Sequence, residues 1–197
     1  MPEAITRSAI ENLVQGGDGN GDGQADAQQT GVASMGATAG RSVEPEAVLA
    51  SNLTIEIVAP ATCSQLNDSH GFSAQNYPPD SARVPNGAPW GMVSFALTDC
   101  AQVTVNVTFH GATFDDDWAW RNYGPRIPGD AQSFGWYTFS GAQRLDADTW
   151  RLTIDASQQG NYRHDANNIL FVGGPAELPD QTIFRDGFED DATPTRY

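Results

Sequence analysis

The amino-acid pattern predicts a mostly β fold, an antiparallel β-sandwich with a short helix and a polar loop ahead of it. Three observations carry that expectation. Apolar residues alternate at period two through Leu53, Ile55 and Ile57, through Val93, Phe95 and Leu97, and through Val103, Val105, Val107 and Phe109, as strands with one buried face require. Turn-forming segments such as Pro85-Asn86-Gly87, Gly124-Pro125 and Ser157 to Gly160 separate the short candidate strands. Between Arg41 and Val172 no run has helical periodicity, which argues against parallel β-α-β architectures and their nucleotide sites.

In chain order, Ala4 to Gln15 places Ile5, Ala9, Ile10, Leu13 and Val14 on one face and reads as a short amphipathic helix ended by Gly16 and Gly17. Asp18 to Gln29 follows as a Gly- and Asp-rich loop too polar for any core, and Ala27 to Met35 is expected to add another helical turn. The small residues Gly36 to Gly40 mark a change in chemistry, so residues 1–36 form one segment, 37–47 a linker and 48–176 the sandwich. Strands are expected over Val48 to Val58, Trp90 to Leu97, Val103 to Phe109, Gly135 to Phe139, Thr149 to Ile154 and Asn168 to Val172. Residues 177–197 are acidic with only Ile183, Phe184 and Phe188 to bury, and read as a flexible tail.

A formal charge of −15, from 25 acidic and 10 basic residues, repels nucleic acid and anionic membranes and suits divalent cations or a solvated extracellular surface. No stretch approaches the roughly 18 to 20 consecutive apolar residues of a membrane helix. The opening Met1-Pro2-Glu3-Ala4 lacks a basic n-region and an apolar h-region, so secretion implies a longer precursor or an unconventional export route. Cys63 and Cys100, 37 positions apart, have no CxxC spacing and no His partner, which disfavours metal and redox motifs. They read as a structural disulfide of an oxidising compartment, the alternative being two buried thiols.

From Asp18, the sequence Asp18-Gly19-Asn20-Gly21-Asp22-Gly23-Gln24-Ala25-Asp26 puts oxygen-bearing side chains at positions 1, 3, 5 and 9 of an EF-type loop, with Gly23 at position 6. Calcium is a hard cation that takes six to eight oxygens at roughly 2.3 to 2.6 Å, and a tight loop supplies them by turning alternate side chains inward. Asp18, Asn20 and Asp22 are the expected side-chain ligands, Gln24 offers its backbone carbonyl, and Asp26 ligates directly or through water. Gln29 stands at position 12 where an EF-hand uses a bidentate Glu, so the affinity expected is that of weak extracellular sites, roughly 10⁻⁴ to 10⁻³ M. A flexible Gly/Asp spacer is the competing reading.

The loop, together with Asp26-Ala27-Gln28-Gln29 and Val32-Ala33-Ser34, resembles the thrombospondin type 3-like calcium segment found ahead of the bacterial choice-of-anchor U domain. The body is similar to that family at Gly91 to Leu97, Asn122-Tyr123-Gly124-Pro125, Gly135 to Phe139, Asp165 to Ile169 and Val172 to Ala176, so the resemblance covers about Asn12 to Ala176. It implies a non-enzymatic, β-rich calcium-binding module of a secreted or cell-surface bacterial protein, placed just before a C-terminal sorting tail. Two departures stand out. The family's Asp run before Asp165 is replaced by Gly160-Asn161-Tyr162-Arg163-His164, which puts a second metal site there in doubt, and Ile183 to Glu189 is neither LPxTG nor a membrane anchor.

Other constellations offer less. Asp115-Asp116-Asp117 has paired carboxylates, yet neighbours in an extended segment point to opposite sides, so a solvated acidic loop is expected rather than glycosidase chemistry. Trp118 and Trp120 are the candidate ligand-stacking residues of an alternative carbohydrate-binding or adhesin-type reading, with a surface glycan or protein as partner, although aromatics also fill sandwich cores. His70, His110 and His164 are scattered, and neither Ser94 nor Ser140 sits in a nucleophile motif. The expectation is a calcium-binding monomer that is not an enzyme.

Overall fold

A computed structural model describes residues 17–37, 51–59, 63, 65–82, 88–162 and 167–179. The helix expected over Ala4 to Gln15, the linker beyond Ala37, His164, Asp165 and the tail from residue 180 lie outside the described residues. Among the described residues, ten strands form two antiparallel five-stranded sheets. They are β1 (Val32–Ala37), β2 (Ser51–Ala59), β3 (Asn67–Phe72), β4 (Met92–Leu97), β5 (Gln102–Phe109), β6 (Trp118–Pro125), β7 (Phe134–Thr138), β8 (Ala142–Arg144), β9 (Thr149–Asp155) and β10 (Ile169–Glu177). The first sheet runs β1-β2-β5-β9-β8 and the second β3-β4-β10-β6-β7, with every pairing antiparallel.

Alternation decides the layers. Leu53 and Ile55 of β2, Val103 to Phe109 at every second residue of β5, and Trp150, Leu152 and Ile154 of β9 are buried in one cluster with Val93, Phe95, Leu97, Trp120, Ile169 and Phe171 of the other sheet. Phe95 stacks on Phe171 at 5.2 Å between ring centroids, and Phe139 meets Phe171 edge-on at 5.4 Å. Each such side chain contributes about 1.5 to 3 kcal/mol on leaving water. A second, smaller cluster forms on the outer face of the second sheet, where Ala74 and Ala88 of the β3–β4 connection cover Met92, Val172 and Ala176.

Two expectations about the leading segment are corrected. Among the described residues of this segment only Asp26–Gln28 makes a helical turn, of 3-10 type, and Val32–Ala37 is a strand paired with β2 in the register Val32↔Glu56 to Ala37↔Ser51. The sandwich therefore begins upstream of the boundary expected at 36–48, and the polar loop belongs to it. Small residues at Ala33, Ser34, Gly36 and Ala37 hide the strand from a pattern search, because period-two alternation needs large apolar side chains to be seen. The Cys63–Cys100 disulfide is present, joining the β2–β3 connection to the β4–β5 turn with both cysteines buried.

Candidate metal centre

Loop 18–29 leaves Gly17, turns at Gly21 (φ 73°) and Gly23 (φ 87°), and enters β1 through the 3-10 turn. The left-handed φ at Gly23 is the bend that an EF-type loop requires at its sixth position. Side-chain oxygens fold back on the loop's own amides. The Asp22 N–H donates to Asp18 Oδ1 at 3.1 Å and to Asn20 Oδ1 at 3.4 Å, the Gly23 N–H donates to Asp18 Oδ2 at 2.8 Å, and the Gln24 N–H donates to Asp22 Oδ1 at 2.8 Å. The Gln29 side-chain amide then donates to Asp22 Oδ1 at 3.2 Å and to the Gln24 carbonyl at 3.3 Å. Two oxygens of the expected ligand set thus converge on one positively polarised nitrogen.

Asp26 makes contacts of a different kind. It is fully buried, accepts the Gly19 N–H on both carboxylate oxygens at 3.1 Å, and takes a short hydrogen bond from the Ser34 hydroxyl. The Ser34 hydroxyl meets Thr54 Oγ1 at 2.8 Å, and Thr54 Oγ1 meets His110 Nε2 at 2.8 Å. Gly19 packs so closely on this row that a Cβ there would lie 2.2 Å from Ser34 Oγ and 2.3 Å from Thr54 Oγ1. Asn20 Nδ2 donates to Glu56 Oε1 at 3.2 Å. Asp26 is accordingly the anchor that clamps the loop to the outer face of the first sheet. Among the described residues no three His, Cys, Asp or Glu side chains gather into a metal cluster.

No known protein family, curated protein or solved structure matches this chain.

The tryptophans named as stacking candidates are held by the fold. Trp120 is 1% exposed in the intersheet core against Phe109, Trp150 and Phe171, and offers no face to a ligand. Trp118 is half-buried, 5.0 Å from Phe114. Both occupy inward positions of β6, whereas Tyr123 of the same strand faces outward beside its cross-strand partner Trp136. The exposed Asp115 to Asp117 run forms the turn that opens β6, with Asp115 Oδ1 accepting the Asp117 N–H at 3.2 Å and Asp116 pairing with Arg144 at 2.7 Å.

Proposed function

We propose that this chain is a non-enzymatic, calcium-stiffened module of a secreted or cell-surface protein, of the kind its resemblance to the choice-of-anchor U domain implies. Asp18, Asn20, Asp22, the Gln24 carbonyl and Gln29 hold the ion. The observation that carries the reading is the convergence of Asp22 Oδ1 and the Gln24 carbonyl on the Gln29 amide, with Asp18 and Asn20 curled onto the same bend. Turned over, that amide presents its oxygen in place of its nitrogen. Calcium supplies the divalent charge that offsets Asp18 and Asp22.

The buried anchor refines the role. Asp26 ties the loop to the sheet through the Gly19 N–H and the Ser34 hydroxyl, so the ion's part is to rigidify the outer lip of the loop rather than to order a free spacer. An acidic surface and a structural disulfide are compatible with an oxidising, extracytoplasmic setting. The test is thermal unfolding with and without calcium. With a dissociation constant near 1 mM, 10 mM calcium stabilises by about 1.4 kcal/mol, and Asp22→Ala abolishes the increment while magnesium reproduces little of it. Absence of any calcium shift, or an equal shift in Asp22→Ala, overturns the proposal.

A further inference from the structure

The outer face of the second sheet carries a groove separate from the loop. Residues 73–82 of the β3–β4 connection lie across this face and are pinned there by Asp80, which accepts from Arg121 Nε at 2.7 Å and Nη2 at 2.8 Å and from the Ala82 N–H at 3.0 Å. Both members of that ion pair are buried, so the wall from Pro78 to Ala82 is tied to β6 at Arg121. Facing it, Tyr123 and Trp136 stand side by side, ring centroids 5.4 Å apart at 65°, with Phe134 at 6.4 Å from Tyr123. The Trp136 indole N–H donates to the Pro78 carbonyl at 2.6 Å, which fixes the ring. Between wall and sheet lies an open groove of about 440 Å³, within the size range of small-ligand sites.

Arg126 closes one end. It is exposed, its Nε–H donates to the Ser133 carbonyl at 3.2 Å, and its guanidinium packs close to Gly135, where a Cβ would stand 3.1 to 3.4 Å from it. No carboxylate pairs with it among the described residues, although the chain holds 25 acidic residues against 10 basic ones.

We propose that this groove binds a carboxylate-bearing saccharide, a uronic-acid type of sugar. A pyranose ring has an apolar C–H face and a polar rim. Fixed aromatic rings meet the face, and a polar wall containing Ser81 meets the rim. The carboxylate falls to Arg126, whose planar fork matches it in two hydrogen bonds. A proline-rich peptide is the other occupant of aromatic grooves, and it would find the Trp136 N–H already engaged by Pro78.

The test is titration calorimetry of the full chain in EDTA, so that calcium bridging by the sugar and the loop plays no part, with oligogalacturonate and oligoglucuronate as probes. Neutral galactose oligomers and a proline-rich peptide serve as comparisons. The expected result is binding of a uronate oligomer, weakened at least about tenfold by Arg126→Gln and by Trp136→Ala and unchanged by Trp118→Ala. Arg126 is exposed, so its variant keeps the fold even where Trp136→Ala disturbs the small cluster beneath. No binding of either uronate at millimolar concentration, equal affinity for the neutral oligomer, insensitivity to Arg126→Gln, or binding of the peptide alone overturns the proposal.

Discussion

At the scale of single residues, Asp22 and Asp26 show how little a residue's type says about its task. Both belong to one Gly-rich loop, but Asp22 sits on the exposed lip and Asp26 is fully buried with the Gly19 N–H and the Ser34 hydroxyl as donors. Removing a buried acceptor strands its donors at about 1 to 3 kcal/mol each. Asp26→Ala is therefore expected to cost about 2 to 4 kcal/mol in urea unfolding with EDTA present, whereas Asp22→Ala costs little there. A loss under about 0.5 kcal/mol for Asp26→Ala shows that the clamp is not holding the loop. Spacing alone places both carboxylates in one EF-type pattern, Asp22 as a direct ligand and Asp26 as a ligand directly or through water. They differ because Ser34 reaches Asp26 from β1 and is itself met by Thr54 of the paired β2, contacts that no local reading of the loop contains.

At the scale of elements, the same hydroxyl row ties β1, β2 and the end of β5 together. His110, just past β5, closes it through Thr54, and burial lowers its pKa, with Asp148 and Asp26 opposing the shift. A histidine harder to protonate when folded lets the unfolded chain take up the proton first, so stability declines as pH falls from its ordinary value of about 6.5 toward the lowered one. His110→Gln should lose less stability than the parent between pH 7.5 and pH 5, measured by urea midpoints. Parallel declines in the two proteins would remove His110 from the account.

The strands legible in the sequence are β2, β4, β5, β7, β9 and β10, each with large apolar residues on its buried face. β3 escaped because Asn67 to His70 is polar and broken by a register shift at a left-handed Asp68, and β6 because an acidic turn and Gly124-Pro125 flank its aromatics.

At the scale of the whole molecule, the Cys63–Cys100 disulfide closes a 37-residue loop that contains all of β3, β4 and the covering connection. Chain-entropy arguments assign such a crosslink about 3 to 4 kcal/mol. A Cys63→Ala/Cys100→Ala variant should fall by that amount in chemical denaturation, and a change below about 1 kcal/mol would place the stability in the core alone. The sequence by itself determined the class of fold, the glycine-permitted bend of the acidic loop and the candidate cysteine pair, because alternation, positive φ and cysteine economy are local signals. Only the tertiary structure decided that Asp26 is a buried clamp, that Trp120 is core, and that Tyr123, Trp136 and Arg126 share a groove under a loop pinned by Asp80. The physical reason is that a strand's period specifies two faces, and which of them meets water is set by the sheets and loops that pack against it.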